Sequence, residues 1–451
     1  MASSDEGMPR TARRPAMADP LAEVAPRPVR ARPPAWAVAI SAAVLGSAAV
    51  PAPPLRDLLT NDAPVGAQLV RPALYVFFAP ASSVLDTLTL LSLWQHVALT
   101  VTLVVLFVLW RVTRVRGAVP DEGRVRRGAW RTEAGVALLA IGLFAATYVA
   151  MAAAPRPMAA LRLRDESHLA VDFHSHTNAS YDARPGFSVA ENRAWHQAAG
   201  YDAAYISDHH SFRGVHIALA TNPATAGDTT MLLPALEAAY ENQHVIVLGS
   251  AHDTGTAPVR RWAIARSTSA EDVGLILTIP GTVALFPRTR TTPPARAVGI
   301  EISDGGPRGL VAGDRKRASI IALADRHDDA LLTGSDNHGW GRTAAAWSVM
   351  TIPGWRGLSA DSLDARIRAT LVTSGRRAVR PIGRTRAIGG DLPALLVTAP
   401  AAAWMMLRAL SWPERLSWIA WCWTAVALAS AVKALRRRLH SRARIAHSAA
   451  A

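Results

Sequence analysis

The chain has 451 residues, half of them hydrophobic, and a formal net charge of +15 that comes from an excess of arginine. This composition favours a soluble domain joined to membrane spans, and in such a protein arginine excess is more typical of cytoplasmic loops than of nucleic-acid binding. The single cysteine, Cys422, excludes an intrachain disulfide.

The first 155 residues predict a tail followed by a membrane region. Residues 1–34 are rich in alanine, proline and arginine and lack aromatic residues, which predicts a disordered basic tail. Residues 35–52, 88–110 and 134–154 are apolar runs, so we expect about three membrane helices within residues 35–155. The shorter apolar run at 69–81 carries Arg71, which favours an interfacial or re-entrant segment.

A second membrane region is expected at residues 392–435, before a basic tail at 436–451. Its clearest span is the tryptophan-rich run at 416–432. The preceding run, 392–407, is interrupted by Pro393 and Pro400, so it could be a span, a re-entrant piece or a β-rich segment.

Basic clusters suggest how the chain is oriented in the membrane. Residues 111–131, between the second and third spans, contain seven arginines and two acidic residues, and the C-terminal tail is also basic. Short basic loops of this kind stay in the cytoplasm. We therefore expect a multi-pass protein of a bacterial inner membrane, with four spans and the soluble domain on the outer face. The basic stretch at 376–386 would prefer the inside if 392–407 is a span.

Residues 162–355 predict the soluble domain. Short β-like runs occupy residues 168–173, 203–207, 231–236, 244–249, 275–279, 297–302, 330–333 and 346–352. Between the first two, Ser188 and Glu191 form a capping box that opens a helix through Ala199, closed by Gly200. A second helix is expected at 317–326. Alternating strands and helices predict an α/β barrel or a parallel sheet, followed by a connector at 356–391 with a surface helix at 361–370.

Histidines and carboxylates collect where the predicted strands end. Residues two apart in a strand point to the same side, so His174 and His176 would present both imidazoles to one point. That pair is a weak signal by itself. It gains weight because later strands lead into further groups of the same kind: Asp208-His209-His210, Glu237, His244, and Asp336 with His338.

The order of these groups resembles the PHP (polymerase and histidinol phosphatase) family. The resemblance covers about residues 165–345, leaves the spans uncovered, and rests on these motifs in order: His174-Ser175-His176-Thr177 with Asp182, Ser207-Asp208-His209, Glu237, His244, and Gly334-Ser335-Asp336-Asn337-His338. It implies a distorted (β/α)7 barrel, flanked here by transmembrane helices, that hydrolyses phosphate esters with two or three divalent ions.

Carried over by position, the resemblance implies the ligands of each ion. One ion would be held by His174, His176, Glu237 and Asp336. Another would be held by Asp182, His209 and His338. Glu237 would bridge to a further ion that His244 also binds.

The sequence departs from the family at one motif. Members usually supply another histidine in an Ala-His-Pro turn, but residues 275–291 contain no histidine. The ion shared by Glu237 and His244 is therefore short of a ligand, and weak binding, His252 or water remain open. Two ions are expected more firmly than a third.

The ligand types indicate the chemistry. Mixed imidazole and carboxylate shells suit zinc, manganese or iron, and neighbouring ions can activate water to hydroxide and clamp a phosphate. Asp208 and His210 are expected to orient ligands from behind. Arg184 and Arg342, close to the first and last motifs, are candidates for binding substrate phosphate.

We therefore expect a membrane-anchored, metal-dependent phosphoesterase that acts on small phosphate esters or lipid headgroups. The missing histidine keeps a second hypothesis open, in which the domain is a non-catalytic sensor that binds metal or ligand. A transporter is a weaker alternative, because the spans contain almost no charged residues.

Overall fold

The computed structural model of the chain describes residues 33–116, 125–209, 211–240, 243–249, 274–278 and 297–450. The expected disordered tail therefore lies almost wholly outside the described residues, as do His210, His252 and most of the segment in which the additional histidine was sought.

The described residues form helices grouped near both ends and a mixture of strands and helices between them. The helices are α1 (Ala35–Gly46), α2 (Ala73–Phe77), α3 (Ala79–Thr89), α4 (Leu93–Arg116), α5 (Val125–Ala153), α6 (Val189–Ala199), α7 (Arg213–Ala220), α8 (Pro307–His327), α9 (Ala360–Ser374), α10 (Leu392–Leu396), α11 (Thr398–Arg408) and α12 (Trp412–Ala450). The strands are β1 (Leu55–Asp57), β2 (Ala67–Val70), β3 (Ala160–Leu163), β4 (His168–Ser175), β5 (Ala203–Ile206), β6 (Met231–Tyr240), β7 (Gln243–Leu248), β8 (Gly274–Leu277), β9 (Ala297–Asp304), β10 (Ala330–Gly334), β11 (Ala346–Thr351) and β12 (Arg380–Arg384).

Local signals in the sequence predicted much of this order. A strand occupies each predicted strand position in the soluble domain. Half of the predicted capping box of α6 is present, because the hydroxyl of Ser188 accepts a hydrogen bond from the Glu191 backbone N–H at 3.2 Å. The reciprocal half is replaced: the Ser188 backbone N–H donates to the carbonyl of Gly186, and the Glu191 carboxylate pairs with Arg184. Gly200 ends the helix in the left-handed conformation, with φ of 81°.

Ten strands form one mixed sheet in the order β1-β12-β11-β4-β5-β6-β7-β8-β9-β10. The pairs β4–β5, β5–β6, β8–β9 and β9–β10 are parallel, and the remaining pairs are antiparallel. A separate two-stranded sheet joins β2 to β3.

The predicted (β/α)7 barrel is not what the described strands form, because their sheet does not close. Strand β4 is paired with β5 on one edge and with antiparallel β11 on the other. An edge already occupied cannot accept β10, the strand that would complete a ring. Beyond the end of β10, an isolated bridge between Ser175 and Asn337 joins the following turn to the end of β4. The result is a mixed α/β fold with an open sheet.

Segments expected outside the soluble domain contribute to its sheet. Strand β12 lies in the predicted connector, and β1 lies in the predicted N-terminal membrane region; they pair with each other antiparallel. Both strands are short and polar, so they carry no periodic signal long enough to reveal a strand by sequence alone.

Within the described part of the chain, three helices are long and apolar enough to cross a membrane: Leu93–Arg114, Thr132–Ala153 and Trp412–His440. The expectation of four spans is not met among the described residues, because the first apolar run forms a helix and a short 3-10 turn over Ala35–Ala49. At 1.5 Å per residue that segment is about 22 Å long, less than the ~30 Å hydrocarbon layer. The run at 392–407 becomes the two short helices α10 and α11.

The central strand β4 is buried on both faces. Leu169, Val171 and Phe173 pack into one hydrophobic cluster, whereas Ala170 packs into another. Strands covered on both sides read as continuous apolar runs, as this one does. Polar side chains in such a strand need buried partners, and Asp172 and His174 are both in it.

Candidate metal centre

The ends of neighbouring strands bring the predicted ligands together. His174 lies in β4 and His176 follows it, while His209 follows β5 and forms a parallel bridge with Glu237 of β6. In the β6–β7 pair, His244 lies opposite Ala239, two residues from Glu237, which puts His244 and Glu237 on one face as diagonal neighbours.

Glu237 occupies the middle of the cluster. Its Oε2 lies 3.1 Å from Nε2 of His174, 3.2 Å from Nε2 of His176 and 3.3 Å from Nε2 of His209. Its Oε1 lies 2.6 Å from Nδ1 of His244. One buried carboxylate therefore contacts four imidazoles, with three of them on one oxygen and the fourth on the other.

Asp336 approaches the same group from the end of β10. Its Oδ1 lies 3.5 Å from Nε2 of His174 and 3.4 Å from Nε2 of His176. The residue has a φ of 47°, in the left-handed region that non-glycine residues seldom adopt. Its backbone N–H donates to the carbonyl of His174 over 2.9 Å, which holds this strained turn against β4.

Asp182 forms a second group with two histidines. Its Oδ2 lies 3.3 Å from Nε2 of His209 and 3.2 Å from Nε2 of His338. Ser180 donates a hydrogen bond to Oδ1 of Asp182 over 2.8 Å, so the carboxylate is oriented from its other side. The rings of His176 and His338 stack with centroids 4.1 Å apart, which brings this group against the first.

The residues present fit divalent ions. Three sets place their possible ligand atoms within 4.8 Å of one another: His176, His209 and His338; His174, His176 and Glu237; His209, Glu237 and His244. Bonds of about 2.0–2.1 Å to a shared ion put neighbouring ligand atoms about 3.3 Å apart, close to the separations around Glu237. Among the described residues, neither ring nitrogen of the buried His176 has a hydrogen-bond partner, and such an orphaned imidazole suits a metal ligand.

The charges of the cluster perturb one another strongly. Burial alone would lower the pKa of His174, but the carboxylates of Glu237 and Glu301 raise it well above the ordinary value. Burial would likewise lower the pKa of His176, yet the nearby carboxylates of Asp336 and Glu237 raise it to about 9. Protons on these two imidazoles would neutralise the negative charge of the carboxylates, and a bound divalent cation can neutralise the same charge in their place.

His209 behaves differently from its neighbours. Burial lowers the pKa of its imidazole to about 4, and Glu237 opposes that shift only in part. A histidine that stays neutral keeps a nitrogen lone pair available, as metal ligation requires.

Glu301 is a member of the site that sequence reasoning missed. It lies in β9, is completely buried, and places Oε1 2.9 Å from Nδ1 of His174. A carboxylate at one ring nitrogen fixes the tautomer and leaves the other nitrogen free for a cation. The available signal was a glutamate inside an otherwise apolar strand, because burying a charge requires a partner.

A second missed pair lies behind β4. Asp172 and His196 are fully buried, with Oδ2 and Nε2 2.7 Å apart. Nδ1 of His196 lies 2.8 Å from the carbonyl of Asn192, so both ring nitrogens of this histidine face oxygen acceptors. The other oxygen of Asp172 accepts from the backbone N–H of Ser335 over 2.8 Å and so ties the turn that precedes Asp336 to β4.

The remaining predicted site residues have identifiable surroundings. Asp208 accepts hydrogen bonds from the backbone and the hydroxyl of Thr177 at 2.6 and 2.7 Å, next to His176. The guanidinium of Arg184 pairs with Glu191 at 3.0 Å, and Nε of Arg342 donates to the carbonyl of Arg156 at 3.4 Å. These contacts engage both arginines outside the histidine cluster, and their predicted role in phosphate binding stays a prediction.

No family model and no curated protein matches the sequence. Comparison with solved structures finds a two-domain protein from Bacteroides vulgatus containing a predicted PHP-like metal-dependent phosphoesterase, at 14% identity and a TM-score of 0.29, covering 44% of this chain and 63% of that one. A lesion-specific endonuclease from Pyrococcus furiosus is 14% identical with a TM-score of 0.32, and the match covers 47% of this chain and 57% of that one. An amidohydrolase from Chromobacterium violaceum is 16% identical with a TM-score of 0.25, and the match covers 44% of this chain and 96% of that one. At these scores, the site has to be argued from its own geometry.

Proposed function

We propose that the chain is a membrane-anchored, metal-dependent phosphoesterase. The observation that carries this proposal is the contact of one buried carboxylate, Glu237, with four imidazoles, His174, His176, His209 and His244. When bound in such a centre, divalent ions lower the pKa of water and neutralise the charge that develops on a phosphoryl group.

The chain's own residues divide the work of the site. Glu237 bridges the ligand sets, while Asp336 and Asp182 approach from either side. Glu301 and the Asp172–His196 pair lie behind the first histidine and hold β4 and the β10 turn in register. Because these supports are buried, the ligand nitrogens are held in place before any ion or substrate arrives.

The ligand types favour zinc, manganese or iron over magnesium, whose sites are mostly oxygen. The sets around Glu237 and Asp182 support two ions. A third ion, at Glu237 and His244, has fewer buried ligands because the side chain of His244 is 50% exposed.

The orientation of the chain belongs to the same proposal. Three helices can cross a membrane, and the basic loop between α4 and α5 favours the cytoplasm. The soluble domain follows α5 and precedes α12, so it would lie on the outer face, with the basic C-terminal tail inside.

The test combines elemental analysis of the purified full-length protein with assays of phosphatase and phosphodiesterase activity in added manganese or zinc. We expect about two bound ions and turnover that His174→Ala combined with Asp336→Ala abolishes. An exposed charge on α9, removed by Arg366→Gln, provides the matched control, and this variant should retain activity. Turnover that survives the double substitution would refute the proposal, and one tightly held ion without turnover on a broad panel would favour a sensor.

A further inference from the structure

The loop that carries Asp336 and His338 caps the end of a membrane helix. The backbone N–H of Gly341 donates to the carbonyl of Ala152, in the last turn of α5, over 2.7 Å. The guanidinium of Arg156 donates to the carbonyl of Met151 over 3.0 Å, and Arg342 in turn donates to the carbonyl of Arg156. The last carbonyls of a helix lack partners within it, so these bonds fix the loop to the end of the span.

That attachment fixes the height of the site above the bilayer. The apolar stretch of α5, Thr132–Ala153, has 22 residues and is therefore about 33 Å long, close to the ~30 Å hydrocarbon thickness. Its last turn then lies at the edge of the hydrocarbon. His338 and Gly341 are three residues apart, so their Cα atoms are at most about 11 Å apart.

Two further hydrogen bonds hold the domain close to the same membrane surface. Thr343, at the end of the loop, donates to the buried Asp86 of α3 over 2.7 Å. Gln95, in the first turn of α4, donates to the carbonyl of Ala387 over 3.1 Å. The domain is thus bonded to the spans α4 and α5 and to α3, which packs against α5. The headgroup layer beside the hydrocarbon is only about 5–8 Å thick on each side.

Exposed aromatic side chains flank the ligands at this level. Trp340 lies between His338 and the residue that caps α5, and 52% of its surface is exposed. Tyr181 is 76% exposed and its ring centroid lies 5.3 Å from that of His209. Tryptophan and tyrosine are enriched at membrane interfaces, where their rings lie among the headgroups.

We infer that the phosphate ester hydrolysed at this centre is the headgroup of a lipid in the adjoining leaflet. The inference rests on the proposed function and narrows its substrate class. The acyl chains would stay in the bilayer beside α5, while Trp340 and Tyr181 lie among the headgroups and the phosphate reaches the histidine cluster.

The first experiment compares lipid and soluble esters that share phosphate chemistry. Full-length protein is placed in phosphatidylcholine nanodiscs with manganese or zinc, and phosphatidic acid or phosphatidylglycerol is varied in mole fraction at constant bulk concentration. Glycerol 3-phosphate and glycerophosphoglycerol are the soluble counterparts. We expect turnover that rises with mole fraction and exceeds that of the soluble esters by at least about tenfold.

The outcomes separate the two proposals. Soluble esters turned over as fast as lipids, or faster, overturn the inference and leave the phosphoesterase standing. Turnover of neither class overturns both. As a side-chain test, Trp340→Ala should raise the KM expressed as lipid mole fraction by about fivefold. Trp404→Ala, which removes a 44% exposed tryptophan of α11, is the matched control and should not change it.

The second experiment measures depth without relying on activity. In a Cys422→Ser background, Trp340→Cys is labelled with a polarity-sensitive fluorophore and quenched with headgroup or acyl-chain spin-labelled lipids. The control label is at Val372→Cys, a 59% exposed position on α9. The inference is supported if headgroup spin labels quench the fluorophore at position 340 and not the one at position 372. It is overturned if the fluorophores at both positions escape quenching equally.

Discussion

The hydroxyl of Thr343 donates a hydrogen bond to Oδ1 of the buried Asp86 over 2.7 Å, joining the loop of the metal centre to helix α3. The other oxygen of Asp86 accepts from Tyr75 at 2.8 Å and from Arg384 of β12 at 2.6 Å. Arg156, just beyond α5, lies 3.5 Å from the carboxylate. Asp86 of α3 therefore bonds to α2 through Tyr75, to the sheet through Arg384 and to the loop of the metal centre through Thr343.

Removing this carboxylate should destabilise the protein strongly. Asp86→Ala leaves Arg384 and Arg156 buried without their counter-charge, and breaking such a pair costs about 3–5 kcal/mol. Thr343→Val removes two hydrogen bonds, the one donated to Asp86 and the one accepted from Arg156 over 3.0 Å, and should cost about 1–2 kcal/mol. The free energy of unfolding in detergent measures both. Thr370→Val, whose hydroxyl bonds only to its own helix at Arg366, is the control, and a Thr343→Val loss no larger than that of the control would contradict the assignment.

Substituting individual histidines should remove different numbers of ions. His244 contacts one oxygen of Glu237 and its side chain is half exposed, so His244→Ala should lose at most one ion. His176 is buried and belongs to two of the three candidate ligand sets, so His176→Ala should lose more. Elemental analysis after dialysis counts the ions. The ligand sets proposed here would be wrong if His244→Ala emptied the protein while His176→Ala did not.

Glu301 should act as a positioning residue through His174. Glu301→Gln keeps the shape but loses the charge beside Nδ1, and carboxylates in that position typically contribute about 10–100-fold to metal affinity. Titration against a competing chelator measures the affinity, and Glu301→Asp should recover part of it. The surface variant Glu191→Gln controls for loss of charge, and an affinity as high in Glu301→Gln as in that control would exclude the role.

The pH dependence of stability should include a contribution from Asp202, which immediately precedes β5. Burial raises the pKa of this carboxyl to about 6, against opposing effects of the Ala170 N–H and Arg356. A raised pKa means that the folded state favours the protonated form, so this contribution is present below about pH 4 and is lost as the pH rises through about 6.

The expected size is about 3 kcal/mol across that range. The check is the free energy of unfolding in detergent at pH 4.5 and pH 7.5, for the unsubstituted chain and for Asp202→Asn. We expect the difference between the two pH values to change by about 2–3 kcal/mol on substitution. An identical pH dependence in both proteins would show that Asp202 is not the titrating group.

Much of the site was predictable because its signals are local. His174 and His176 are two residues apart in a strand, and the other predicted ligands follow or lie in strands recognisable by their apolar runs. Because neighbouring strands end at the same edge of the sheet, residues that directly follow those strands are expected to lie close to one another. Glu301 and Asp172 escaped notice because a carboxylate inside an apolar strand has no spacing rule to identify it.

The apolar runs, the strand positions, the capped helix α6 and the histidine spacing were determined by the sequence alone, because each depends on residues within a few positions of one another. The sheet stays open because β11, which is distant in sequence, pairs with the edge of β4 that β10 would need to close a barrel. Distant segments also meet where His174 and His176 contact Glu237 and Asp336. The same is true where the loop that carries Asp336 is bonded to the end of α5. Such contacts arise only when the whole chain packs, so only the tertiary structure decided them.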